Sequence, residues 1–171
     1  KLPVTFPRSG SHAPLYYART LTHMPEDHER YISRYWDGPT TPLYPFGYGL
    51  SYTSFEIKNL KLSASEIKVG ESLTVTAEVS NTGNKAGDEV VQLYIHQKWG
   101  TDSRPLRELK GFERISISAG ETKTVSFKLG PDELRYWSTI AKGWVQDAAE
   151  FDVWVGCDSQ ATLHAGFAVT A

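Results

Sequence analysis

Apolar and polar residues alternate with a period of two through most of the chain beyond residue 55, and follow no sustained period before it. Leu73, Val75, Ala77 and Val79 alternate with Thr74, Thr76, Glu78 and Ser80, as in a strand with one face buried and the other in water. The same phase points Val91, Leu93 and Ile95 inward on a second strand, Val125, Phe127 and Leu129 on a third, and Phe151, Val153 and Val155 on a fourth. A closing strand offers Leu163, Ala165, Phe167 and Val169. With Phe55 to Leu62 and Leu109 to Ile117 added, and Asn81-Thr82-Gly83-Asn84 as a turn, the pattern predicts about seven short strands in an all-β, antiparallel β-sandwich. Pro131-Asp132-Glu133-Leu134 predicts one helical turn between strands, because proline suits a first helical position and acids suit the first turn.

Residues 1–54 read differently. Leu2, Val4 and Phe6 alternate for a few residues, as in one short strand, and Pro7 ends the ladder. Between Gly10 and Gly38 neither period persists, apart from a short helical turn expected around Glu26 to Tyr31. The run from Pro42 through Leu43, Tyr44, Pro45, Phe46, Gly47, Tyr48, Gly49, Leu50 and Ser51 to Tyr52 is too apolar for solvent and too rich in proline and glycine for a regular element. Each large side chain left in water there would forfeit roughly 1.5–3 kcal/mol. A structureless loop of this length inside a compact domain is improbable, so the segment is expected to wrap a neighbouring surface. Seven of the nine prolines precede residue 56, which sets a boundary near Thr53-Ser54-Phe55. The expected division is a short remnant of a preceding domain (1–10), an aromatic strap (11–54) and the sandwich (55–171).

Composition narrows the function classes. A chain of 171 residues, 40% of them hydrophobic, suits one domain with an appendage. The net charge of −2 gives no basic field, so nucleic acid and anionic membrane surfaces are not expected partners. The single cysteine, Cys157, excludes an internal disulfide and a cysteine-built metal site, and is expected to pack as a small apolar group. No run is long enough to span a bilayer. The start, Lys1-Leu2-Pro3-Val4, has neither an initiator Met nor a signal-peptide core, so the chain reads as a piece of something longer. His12, His23, His28, His96 and His164 are scattered; His23 and His28 lie among Glu26, Asp27 and Glu29. Without an i, i+4 pair or a cysteine partner, that cluster is expected to be a solvated polar loop, and no metal is assigned.

The ordered series Lys1 to Pro7 and Pro42 to Thr53 resembles the end of the catalytic core of family 3 glycoside hydrolases, the β-glucosidase and β-xylosidase group. Asn81-Thr82-Gly83, Ala86 to Tyr94, Arg104-Pro105, Leu109-Lys110-Gly111-Phe112, Ala119-Gly120-Glu121-Thr122, Pro131 to Leu134 and Gly143-Trp144-Val145 through Gly156 resemble that family's C-terminal fibronectin type III-like domain. The resemblance implies a parent enzyme that hydrolyses terminal β-linked glucose with retention and without a cofactor. It also implies a periplasmic or secreted location, upstream barrel and α/β sandwich domains as partners, and room for a homodimer of the parent. Its nucleophilic Asp and general-acid Glu lie upstream of the segments matched here, so no catalytic residue is assigned to this chain. A retaining glycosidase needs two carboxyl groups about 5–5.5 Å apart, and Glu26, Asp27, Glu29, Asp37, Glu78, Asp88, Asp132 and Asp152 sit in no matching motif. The expected role is bracing of the catalytic domains and shaping of the outer substrate cleft. The rival readings are a free-standing carbohydrate-binding or adhesion sandwich, and one half of a split hydrolase.

Tyr35, Trp36 and Asp37, following Tyr31, are the candidate sugar contacts, since an aromatic face buries C–H surface while a carboxylate orients hydroxyls. The competing account makes these rings anchors that hold the strap to the missing upstream domains, and it is favoured because aromatic side chains chiefly supply burial. Tyr94 and Trp154 fall on the outward phase of their strands, as a sugar-stacking platform or, preferably, as an inter-domain surface that packs against a second domain. Arg104, Arg107, Glu108 and Lys110 read as a solvated edge or a domain-contact region.

Overall fold

A computed structural model describes residues 1–20, 35 and 38–171. The chain forms a two-sheet sandwich in which three antiparallel strands face five. The first sheet holds β1 (Phe55–Leu62), β3 (Leu73–Asn81) and β6 (Thr122–Leu129) in the order β1-β3-β6. The second holds β2 (Glu66–Lys68), β4 (Gly87–Gln97), β5 (Glu108–Ile117), β9 (Ala149–Gly156) and β10 (Leu163–Thr170) in the order β2-β10-β9-β4-β5. A small hairpin of β7 (Tyr136–Ser138) and β8 (Gly143–Val145) follows the helical turn α1 (Pro131–Leu134).

The inward phase read from the alternation is the core. Val75, Ala77, Val79, Val125, Phe127 and Leu129 of the first sheet are buried against Val91, Leu93, Ile95, Phe151, Val153 and Val155 of the second, as face-to-face sheet packing requires. Phe151 and Phe167 stack across neighbouring strands with ring centroids 5.1 Å apart. Between Leu93 and Tyr94 the β4–β5 register slips by one residue, and Gly111 there lies beneath the Phe127 ring. A Cβ at Gly111 would come within 2.9 Å of that ring, so the Leu-Lys-Gly-Phe stretch combines a bulge with a close approach. At α1 the Glu133 carboxylate accepts the Gly130 N–H at 2.8 Å, and Pro131 opens the turn as expected.

Among the described residues ten strands are present where about seven were predicted. The three additions, β2, β7 and β8, have three residues each, too few to establish a period, and β2 pairs parallel with β10. The N-terminal alternation does not form a strand of a sheet. Pro3 and Pro7 remove donors, and Leu2 and Phe6 instead exchange backbone hydrogen bonds with the strap. Leu2 N donates to Tyr48 O at 2.8 Å, Gly47 N to Leu2 O at 2.8 Å and Phe6 N to Tyr44 O at 2.9 Å. The helical turn expected around 26–31 and the His23–His28 cluster lie outside the described residues.

The strap joins the sandwich at Asn81, which is 1% exposed. Its Oδ1 accepts from Thr53 Oγ1 at 2.7 Å and from Gly83 N at 3.1 Å, while Nδ2 donates to Lys85 O at 2.7 Å and Ile117 O at 3.0 Å. This buried amide therefore has partners for both of its ends, as burial demands. Gly83 is required here because a Cβ would strike Thr53 Oγ1. The turn read from Asn81-Thr82-Gly83 is thus also the strap's fastening.

Candidate functional site

The outer face of the five-stranded sheet is the platform on which the strap lies. Alternation along β4 turns Val90, Gln92, Tyr94 and His96 away from the core, yet Gln92 is 3% and Tyr94 0% exposed. Tyr94 is therefore no open stacking platform. Tyr17 stacks on Phe46 with centroids 4.3 Å apart and meets the Tyr94 ring edge-on at 5.8 Å. The Tyr94 hydroxyl donates to Gln92 Oε1. Gln92 Nε2 in turn donates to Gly47 O at 3.1 Å and to Cys157 O at 2.6 Å, and Ser159 N donates to Phe46 O at 2.9 Å. One amide thus ties together the strap, β4 and the β9–β10 loop. Burial raises the Tyr94 phenol well above its ordinary value and that of Tyr17 as well, so both hydroxyls serve as neutral hydrogen-bonding groups.

Gly47 makes the docking close. Its φ of +81° is one that L side chains rarely adopt, and a Cβ would run into the Gln92 amide. Nearby, Lys1 Nζ lies 2.6 Å from Glu89 Oε1, with the two side chains 18% and 8% exposed. Burial first, and then the Glu89 carboxylate, push the Cys157 thiol up to about 12. Cys157 is half-buried beside a charged pair rather than packed among apolar groups alone.

The mixed stretch 104–110 is a contact region, not a solvated edge. Arg104 Nη2 binds Glu108 at 2.8 Å and Lys110 Nζ binds it at 3.0 Å. The Arg107 guanidinium lies 4.3 Å over the Trp154 ring, and its Nη1 donates to Ser159 O at 2.7 Å. Trp154 is thereby half-covered. Leu106 N donates to Arg19 O at 2.9 Å, and Thr20 bridges Pro105, which brings the strap along this stretch. Between them opens a groove of about 510 Å³ whose walls include Leu15, Tyr16, Arg19, Thr41, Arg107 and Gln160.

Of the three candidate sugar contacts, Tyr35 is described, and Trp36 and Asp37 lie outside the described residues. The Tyr35 ring stacks on His12 at 4.5 Å, and its hydroxyl donates to Pro14 O at 3.1 Å. Tyr35 thus packs against its own segment, and the residues beyond Pro14, Leu15 and Tyr16, line the groove.

The candidate acids that lie among the described residues have structural partners. Asp88 is held by Arg114 and Ser116, Asp132 by Arg135, Glu78 by Asn59, and Asp152 by Lys98 and His164. At Asp147 burial works against ionisation, but hydrogen bonds from Tyr136 and Thr101 outweigh it and hold the carboxyl below the usual range. Among the described residues no cluster of His, Cys, Asp or Glu could hold a metal ion. No helix among them is long and apolar enough to cross a membrane. Sequence reasoning did not single out Gln92, Glu89 and Lys1. The one signal for Gln92 is a glutamine placed between buried valine and leucine neighbours on a strand whose next outward residue is tyrosine.

Known proteins resemble this geometry over nearly the whole chain. Residues 89–159 match the fibronectin type III-like domain. The chain is 40% identical to a periplasmic β-glucosidase of Salmonella typhimurium across 98% of its own length and 22% of the relative's. It is 42% identical to a putative β-xylosidase of Formosa agariphila over 93% of its length and 20% of the relative's. A crystal structure of the Listeria innocua β-glucosidase in complex with gluconolactone superposes with a TM-score of 0.91 and 37% identity, over 98% of this chain and 23% of that one. The chain thus spans about a fifth of the length of the relatives it matches. A matching domain, matching sequence and matching fold agree that this chain belongs to the family 3 glycoside hydrolases of the β-glucosidase type, as their C-terminal segment with its fibronectin type III-like domain.

Proposed function

We propose that this segment is a non-catalytic brace: the sandwich (55–171) holds the strap (11–54), and the strap, with the remnant 1–10, packs against the catalytic barrel and α/β domains of a family 3 β-glycosidase. The observation that carries this reading is the strap's two-sidedness. Its inner side is docked on Tyr94 and Gln92, while Val4, Phe6, Leu43, Tyr44, Leu50 and Tyr52 remain 41–100% exposed. Such a row of large apolar groups on one segment marks a contact surface. The parent reaction is retaining hydrolysis of terminal non-reducing β-D-glucosyl residues, by two carboxylates supplied from upstream and with no cofactor. The periplasmic relative supports a periplasmic or secreted setting for the parent. Within the strap, Tyr35 with Trp36 and Asp37 forms the segment assigned to sugar contact at the outer cleft.

Hydrogen exchange tests the brace. Residues 38–54 are compared in the isolated chain and in the complete parent enzyme, with strong added protection expected between Tyr44 and Tyr52. Equal protection in both would refute bracing. The isolated chain is expected to release no sugar from aryl β-glucosides, and turnover that follows the pure protein through chromatography would overturn the non-catalytic assignment.

A further inference from the structure

The sandwich carries an aromatic pole apart from the contacts described for the strap. Of the six large apolar side chains that residues 55–171 leave exposed, five lie together: Val69, Trp99, Trp137, Ile140 and Trp144. They sit where β6 ends opposite the start of β3, at the Leu73–Leu129 pair, whereas the strap is fastened at Asn81 at the other end of β3. Hydrogen bonds fix the cluster. Thr101 Oγ1 lies 2.6 Å from Tyr136 Oη, Thr139 N and Oγ1 each donate to the Asp102 carboxylate at 3.1 Å, and Gly70 N donates to Gln146 Oε1 at 3.1 Å. Gly100 lets the loop close, since a Cβ there would come within 2.8 Å of Gln97 Nε2. On the hairpin, Tyr136 and Ser138 point inward and Trp137 outward. Trp137 and Trp144 face each other across the strands with centroids 5.9 Å apart and planes at 87°.

Beside Trp99 opens a cleft of about 450 Å³, lined further by His96, Lys98, Thr101, Asp102 and Arg104. Its cations are already matched. Lys98 Nζ lies 3.4 Å from both Glu150 and Asp152, and Arg104 binds Glu108 at 2.8 Å. His96 donates from Nδ1 to Pro105 O at 2.6 Å. The cleft therefore offers hydroxyl, carboxylate and ring-nitrogen groups beside indole faces with little unbalanced charge. That chemistry suits a neutral polyhydroxyl ligand with apolar C–H faces, and suits a phosphate or nucleic acid poorly.

We propose that this pole is a carbohydrate-docking surface, with a pyranose unit of a neutral β-linked oligosaccharide against Trp99 in the cleft and the Trp137–Trp144 ridge stacking on neighbouring units. It stands independently of the brace. The test uses the chain as it is, with cellohexaose followed by tryptophan fluorescence and soluble mixed-linkage β-glucan followed by affinity electrophoresis. Cellohexaose is expected to change the fluorescence and the glucan to retard the protein. Trp99→Ala and the double variant Trp137→Ala/Trp144→Ala are each expected to weaken binding at least about tenfold, and Phe112→Ala, an exposed ring of β5 outside the pole, to leave it unchanged. These three tryptophans are 52–60% exposed, so the variants should retain a cooperative melt. If one does not, the indole N–H resonances of the unmodified chain decide: shifts confined to these tryptophans support the proposal, and shifts elsewhere overturn it. Absence of binding, or binding indifferent to all three substitutions, overturns it as well. So does a self-associated chain that the double variant renders monomeric while no sugar binds, for the pole is then a protein contact.

Discussion

Replacing Gly47 by alanine isolates the contact that docks the strap. The substitution acts twice. At φ +81° a residue with a Cβ costs roughly 1–2 kcal/mol relative to glycine. The new methyl also enters the Gln92 amide, which cannot simply swing away, because it is held by Cys157 O at 2.6 Å and by the Tyr94 hydroxyl. Relief requires Gly47 O to give up its 3.1 Å bond from Gln92 Nε2, worth about 1 kcal/mol. The sum, about 2–3 kcal/mol, falls on the docked state of the strap, and at 1.4 kcal/mol per tenfold it raises the opening constant roughly 30- to 140-fold.

Native-state hydrogen exchange reads that constant directly. The amides of Phe6, Tyr48 and Ser159, which donate to Tyr44 O, Pro45 O and Phe46 O, are expected to exchange faster by that factor, while Val75 and Ala77 in β3 keep their protection. Gly70→Ala is the control. Gly70 has φ +90° but open space around its Cβ position, so only the backbone cost applies, and it applies away from the strap. Protection at the strap amides within about threefold of the unmodified chain, less than 1 kcal/mol, would refute the close-approach argument. An equal loss across β3 and the strap would show that the strap unfolds with the sandwich, against the division at residue 55.

Two further predictions address the core and the thiol. Phe127→Ala is expected to destabilise the chain by about 3–5 kcal/mol in urea unfolding, because the ring is 8% exposed and fills the space above Gly111; a loss under about 1 kcal/mol would mean that β6 is not a core strand. Cys157 is raised from 9.0 to about 12 by burial and then by Glu89, so its contribution to stability is full below pH 9.0 and is lost as pH climbs from there towards about 12. The unmodified chain should therefore lose stability across that window more steeply than Cys157→Ala, and parallel curves would refute the assignment.

The inner faces were legible because period-two alternation is a local signal: Val75, Val125 and Val153 each declare their side through residues two positions away. The turn at Pro131–Leu134 was legible for the same reason, since Pro131 and Glu133 carry its start within one segment. What escaped was information that lies between segments. Trp137 and Trp144 meet on strands of three residues, each too short to display a period, and Lys1 finds Glu89 across the whole strap and the first three strands. Tyr94 was placed on the correct side of its strand and its packing reading preferred, but the strap as its cover was not legible, because outward means exposed only when nothing lies on the sheet.

Gln92 shows how such an outer face differs physically from the inner one. A core valine is buried by both sheets and cannot be re-exposed without unfolding, whereas Gln92 is 3% exposed only while the strap covers it. Were the strap to lift, Nε2 would exchange its bond to Gly47 O for one to water and keep its bond to Cys157 O, at little net hydrogen-bond cost. The apolar loss would be confined to the Tyr17, Phe46 and Tyr94 rings, which touch at 4.3 and 5.8 Å. A polar residue at 92 thus allows the outer face to survive separation from the strap, and a valine there would be stranded in water. On the proposed division at residue 55 the sandwich is therefore expected to be stable on its own, with Tyr94 beneath the strap and, if the brace holds, the upstream domains above Leu43, Tyr44 and Tyr52 setting the strap's position.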